Sequence, residues 1–147
     1  MSTDTPQSQP CFVDSNIWIY AFTIDQDTEK TTTAQRLINT HTTIFLSTQV
    51  INEVCVNLLK KAAFTESEIY DLIDDFYTQY SVIEIGHDIL RSASTLRIKH
   101  HVSFWDSIIV ASALTSGAKL LYSEDMHDGL TIESITIVNP FRTPQAP

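Results

Sequence analysis

Cys11-Phe12-Val13-Asp14-Ser15-Asn16-Ile17-Trp18-Ile19-Tyr20 is the stretch that decides the fold. An apolar run stops at an acid, and after Asp14-Ser15-Asn16 the apolar residues continue into a helical pattern. A short, wholly apolar run reads as a strand buried on both faces. A strand that feeds a helix within a few residues opens an α/β unit. The same alternation repeats downstream. Strands are expected over 11–14, 43–47, 81–85, 119–122 and 134–138, and helices over 17–23, 28–40, 48–63, 65–80, 87–100 and 104–116. The fold class is α/β with a mainly parallel sheet.

Two expected helices stand back to back between the second and third strands, so a helical hairpin should project from the sheet. Thr65-Glu66-Ser67-Glu68 opens its second member with Glu three residues after Thr, the pattern of a capping box. The chain has only three glycines, and none of them forms GxGxxG or GxxxxGK[ST]. That excludes the two commonest phosphate-cradling loops of α/β proteins. There is no internal repeat. Residues 1–10 and 142–147 read as loose tails around one domain over 11–141.

At 147 residues, with 43% hydrophobic and 18% charged, the chain suits a single globular domain with a real core. No apolar run approaches a membrane span, and the polar start reads as no signal peptide. Cys11 and Cys55 lie in strand and helix patterns without zinc-like spacing, so both are expected to be buried hydrophobes in a reducing, cytoplasmic compartment. The net charge of −9 rests on nine Lys and Arg against eighteen Asp and Glu. Affinity for phosphate backbones comes mostly from cations, so a nucleic-acid role here must lean on bound metal and a few local positive groups. An acidic surface equally suits a basic protein partner.

Four acids carry the chemistry. Asp14 ends the first strand, Glu53 lies early in the helix after the second, Asp106 opens an apolar helix, and Asp125 follows the strand that ends at Tyr122. In open α/β sheets, ligands collect beyond the carboxyl ends of the strands. Each acid also has a plainer reading. Asp14 could simply cap a helix, as could Asn16, and Asp106 sits three residues after Ser103, itself a good cap. Glu53 alone would be a surface carboxylate. Asp125 and Asp128 fall in a polar turn, where Asp is common. Against the cap reading, Ile109, Val110 and Ala113 stack over Asp106, an expensive place for an unpaired carboxylate.

Jointly the four say more than they do singly. Two carboxylates about 5 Å apart repel by roughly 3 kcal/mol at an effective dielectric near 20. Gathering all four would cost roughly 10–20 kcal/mol, against about 5–15 kcal/mol for a domain's whole stability. Such a set must hold protons or hold cations. Mg²⁺ or Mn²⁺ meets the need with positions left for water and a substrate phosphate. Asn16 and Ser123 could orient a water or a phosphate oxygen at the same edge. Trp18, Trp105 and the phenylalanines are expected in the core, Lys99-His100-His101 at a solvated helix end, and His127 as incidental. No spacing suggests a Ser-His-Asp or Cys-His arrangement.

Asp14-Ser15-Asn16, Glu53, Trp105-Asp106-Ser107, Ser123-Glu124-Asp125 and the ending Ile137-Val138-Asn139-Pro140-Phe141, taken in order, resemble the PIN domain, and within it the VapC-type toxin ribonucleases. The resemblance spans roughly residues 12–141. It implies a parallel sheet sandwiched by helices, usually dimeric, with Asp14, Glu53, Asp106 and Asp125 as metal-binding acids and Asp128 as a possible fifth. It implies metal-dependent endonucleolytic cleavage of an RNA substrate, restrained by a cognate antitoxin protein. Asp14 and Asp106 would be the central ligands, with Asn16 and Ser123 orienting them. Two rival classes are a receiver-like Mg²⁺ domain phosphorylated on Asp14, and a PIN scaffold that only binds a partner. A receiver needs paired acids after strand one and a lysine ending a late strand, whereas Lys119 begins its strand. A neighbouring small reading frame for a DNA-binding protein would favour the toxin over both.

Overall fold

The computed structural model describes residues 9–24 and 27–142. Its elements run β1 (Cys11–Val13), α1 (Ser15–Phe22), α2 (Thr28–Thr40), β2 (Ile44–Ser47), α3 (Thr48–Lys61), α4 (Glu66–Gln79), β3 (Ser81–Ile83), α5 (His87–Lys99), α6 (Phe104–Ser116), β4 (Leu120–Tyr122), β5 (Thr131–Ile132) and β6 (Ile135–Val138). The strands form one sheet in the order β3-β2-β1-β4-β6-β5. Every pairing is parallel except that of β5 with β6. The expected α/β class, a parallel sheet flanked by helices, is the observed one.

The strand order explains the layers. The chain steps from β1 outward through β2 to β3, then crosses back to lay β4 on the other side of β1. Right-handed crossovers in opposite directions put their helices on opposite faces of the sheet. Accordingly α1 packs on α2 and α3, while α5 packs on α6 and α6 runs beneath β1, β2 and β3. With helices on both faces, β1 is wholly buried along Cys11, Phe12 and Val13. Cys11 and Cys55 are both free and buried, and burial pushes the Cys11 thiol up to about 12. None of the described helices is long and apolar enough to cross a membrane.

Trp18 holds the hairpin to the sheet. Its ring is fully buried and meets Phe76 of α4 and Tyr80 edge to face, at centroid distances of 5.2 and 4.9 Å. Its indole Nε1 donates to the Val13 carbonyl at 3.0 Å. Helix α4 otherwise keeps only Ile69 and Phe76 buried, so most of its surface faces water. Its start is the expected capping box: the Thr65 hydroxyl accepts from Glu68 N–H, and the Glu68 carboxylate accepts from Thr65 N–H.

Three expectations need correction. The sheet has a sixth strand, β5, a two-residue piece folded onto β6 through Glu133 at φ +53°. Neither turn residue is Gly or Asn, so the usual hairpin signal is missing. Helix α3 stops before residue 63 because Ala63 turns left-handed at φ +56°, letting Phe64 N–H bond back to the Leu58 carbonyl at 3.2 Å. Alanine gives no warning of a helix stop. Trp105 and Phe104 are not core: they stand 64% and 53% exposed, because the first turn of α6 overhangs the sheet and burial begins at Ser107. Of the two expected tails, residues 1–8 and 143–147 lie outside the described residues. Pro10 is tied in, its carbonyl accepting from Lys119 N–H at 3.3 Å.

Candidate active site

Strand order reverses between β1 and β4, and a crevice opens where chains leave such neighbours in opposite directions. Asp14 leaves β1 and Ser123 leaves β4 at this point, with Asp14 N–H bonded to the Tyr122 carbonyl at 2.9 Å. Helices α1 and α3 begin at the same edge because each follows its strand. Helix α6 runs antiparallel to the strands, so its first turn, with Asp106, comes to that edge as well.

Asp14 is only 7% exposed. It is the N-cap of α1, as the plainer reading held: Oδ1 accepts from Ser15 N–H at 2.7 Å. Its other oxygen, Oδ2, accepts from the Ser123 hydroxyl at 2.8 Å. Among the described residues no Lys, Arg or His pairs with it. Its pKa is pushed up to about 6, chiefly by burial, against the two hydrogen bonds that pull it down; the charges of Glu53 and Asp106 add to the rise. Repulsion among acids, which the pairwise estimate put first, is therefore secondary here. Desolvation of one carboxylate dominates.

Ser15 joins two of the acids. Its N–H holds Asp14, and its hydroxyl donates to Glu53 Oε2 at 2.7 Å. The other oxygen of Glu53 accepts from Gln49 Nε2 at 3.0 Å. Asp106 sits half-buried in the first turn of α6, whose N-cap Ser103 accepts its backbone N–H at 3.2 Å. Its carboxylate accepts no hydrogen bond from the described residues, which leaves both oxygens available. Asp125 is exposed and held at 3.0 Å by Asn16 Nδ2, while Asn16 Oδ1 accepts from Glu124 N–H at 3.1 Å. Asn16 thus ties α1 to the loop after β4 and aims Asp125.

Each residue of Ser123-Glu124-Asp125 has its own attachment. Ser123 turns inward to Asp14. Glu124 bonds Lys30 and accepts from the Tyr20 hydroxyl at 3.0 Å. Asp128 accepts from Asn139 N–H at 2.7 Å and lies 3.4 Å from Arg142, so it clasps the chain after β6. Sequence reasoning did not single out Ser15, Gln49, Lys30 or Glu124. Gln49 is legible in hindsight, one helical turn before Glu53; Lys30 and Glu124, 94 residues apart, carry no local signal.

The structure thus brings Glu53 and Asp106 within electrostatic reach of Asp14 and tethers Asp125 at the rim. Among the described residues no three His, Cys, Asp or Glu side chains converge tightly enough to cage an ion. A buried carboxylate with no cation beside it, next to two more acids, fits a hard cation nonetheless. Mg²⁺ keeps several waters and is bound through one or two carboxylates rather than by a closed protein cage.

Ser123→Ala tests the local electrostatics. Removing the hydroxyl takes away the larger of the two bonds that favour ionised Asp14. The Asp14 titration should move above its present midpoint, read by carboxyl carbon NMR; an unchanged or lower midpoint would show that Ser123 does not stabilise the charge.

An open parallel sheet whose strand order reverses beneath a buried, unpaired carboxylate defines an acid-edged α/β protein. The chain belongs to the PIN domain family, whose model matches residues 11–127. Solved structures share the fold. A toxin-antitoxin complex from Klebsiella pneumoniae aligns with a TM-score of 0.69 at 20% identity, over 90% of this chain and 99% of that one. VapC20 of Mycobacterium tuberculosis, a sarcin-ricin loop cleaving toxin, aligns with a TM-score of 0.63 at 19% identity, over 76% and 86%. FitAcB from Neisseria gonorrhoeae aligns with a TM-score of 0.65 at 12% identity, over 90% and 99%. No curated protein matches the chain by sequence.

Proposed function

We propose that the protein is a Mg²⁺- or Mn²⁺-dependent endoribonuclease, the toxin of a toxin–antitoxin pair, acting in the cytoplasm as a homodimer. The observation that carries the reading is Asp14: a carboxylate 7% exposed, without a cationic partner, at the reversal of strand order and within reach of Glu53 and Asp106. The PIN family match and structural neighbours described as toxins and toxin–antitoxin complexes support the RNA substrate and the antitoxin partner.

Asp14 and Asp106 would hold the ion, with Glu53 and Asp125 completing its surroundings directly or through water. When bound, such an ion polarises a phosphate and lowers the pKa of an attacking water. The chain's own groups set the stage for that chemistry. Ser123 and the Ser15 N–H fix both oxygens of Asp14 and favour its ionised form. Ser15 and Gln49 fix the Glu53 carboxylate between them. Asn16 holds Asp125 at the rim, where an RNA strand would arrive. Asp128, already engaged by Asn139 and Arg142, secures the loop instead.

Incubation of purified protein with a mixed RNA pool should give cleavage with Mg²⁺ or Mn²⁺ and none with EDTA. Divalent ions should also raise the melting temperature. Cleavage that persists in EDTA would refute the metal-dependent mechanism; no cleavage of any RNA in either metal would refute the nuclease.

A further inference from the structure

Beside Glu53 lies a groove of about 560 Å³, lined by Gln49, Asn52, Leu90, Trp105 and Ile108 among others. We propose that this groove receives one unstacked base of a single-stranded RNA next to the phosphate at the acids, with the Trp105 indole as its stacking face; the inference rests on the ribonuclease reading.

Trp105 is a large aromatic side chain left 64% in water, adjacent in sequence to Asp106. An exposed indole beside a mainly apolar groove marks a binding surface rather than a packing one. It is also supported from behind. Its ring meets Phe104 edge to face at 5.2 Å, and the Arg97 guanidinium lies 4.4 Å over Phe104. Arg97 is fixed in turn by a 2.6 Å hydrogen bond to the Ser107 hydroxyl. An exposed ring braced edge to face from behind is a platform on which proteins bind bases of unpaired strands.

The groove's polar atoms favour a base over other occupants. Gln49 Oε1 is buried with no hydrogen-bond partner, and the exposed Asn52 amide has none among the described residues. Amide groups are suited to the donor and acceptor edges of bases. The purely apolar side chain of a peptide would leave the buried Gln49 Oε1 unpaired. Charge acts in the same direction. Glu53 lies in the groove, and no Lys or Arg is among its lining residues, so a phosphate is repelled while a neutral base is not. Because Glu53 belongs to both groove and acid site, a base seated here places its own backbone at the acids.

Tryptophan fluorescence tests this directly, because the only other tryptophan, Trp18, is fully buried. In the Asp14→Asn protein, which would not cut its ligand, hexamers of adenylate, cytidylate or uridylate should quench the exposed emission. Read instead by the anisotropy of an end-labelled hexamer, Trp105→Ala should weaken hexamer binding about tenfold, the loss of one stacked base, and Trp105→Phe should restore most of it. With Asp14 retained, neither variant should change the metal-induced rise in melting temperature. Hexamer affinity unaffected by Trp105→Ala would overturn the proposal, as would quenching by an apolar peptide but by no hexamer. The two readings separate cleanly. Quenching without any RNA cleavage in the wild type would keep the base site and sink the nuclease. Cleavage without quenching, and with unchanged kinetics in Trp105→Ala, would sink the base site alone.

Discussion

Asp14→Asn should reduce RNA cleavage at least about a hundredfold, a floor set by the 10–100-fold typical of losing a mere supporting group around a metal, while making the metal-free protein more stable at neutral pH. The sign follows from the direction of the shift. Folding raises the Asp14 pKa from an ordinary 3.8 to about 6, so the folded state binds its proton more tightly. Stability from this group is present in full below about pH 4 and is lost as pH rises through about 6. At pH 7.5 the ionised group therefore costs about 2–3 kcal/mol, and the asparagine form is free of that charge. The variant should melt about 4–12 °C higher than the metal-free wild type. The gap should close as pH falls toward 4, and added Mg²⁺ should narrow it by stabilising only the wild type. Equal melting temperatures across that pH range would mean that Asp14 is not destabilised by burial. Undiminished cleavage would remove it from the site.

The second large effect belongs to Trp18→Ala. Truncating a buried tryptophan costs about 3–5 kcal/mol, a large share of the 5–15 kcal/mol typical of a domain. Here it also strips the Val13 carbonyl of its indole donor, one residue before Asp14. Phe22, Phe76 and Tyr80 would all lose their shared contact, and with it the anchor of α4. Urea denaturation should show a midpoint far below wild type. Trp18→Phe should recover most of the loss, lacking only the N–H and part of the ring. A cost under about 1 kcal/mol for the alanine variant would show that the hairpin is held by something else.

The parallel sheet was legible because its strands are short apolar runs feeding helices, a signal carried within a few neighbouring residues. Helix α6 ended where read, since Gly117 at φ +81° declares its left-handed cap. Helix α3 did not, since Ala63 hides the same conformation in a good helix former. The exposure of Trp105 was invisible for a related reason. Composition says that an indole prefers burial, but only tertiary placement shows that the first turn of α6 clears the sheet. The acids were legible as positions at strand and helix ends. Their linkages were not, because Ser123 with Asp14 and Asn16 with Asp125 are each separated by 109 residues.

That separation has a bearing on how the chain is made. Asp14 leaves the ribosome early, but its partner Ser123 follows 109 residues later, which at about 5–20 residues per second is roughly 5–20 s of synthesis. Until β4 emerges, β1 lacks one of its two flanking strands and Asp14 lacks its hydroxyl partner. Under the ribonuclease reading, a growing chain is inert toward the message and the ribosome producing it, and a chain broken before Ser123 never acquires a complete site. Under that reading, activity arrives only with the finished fold.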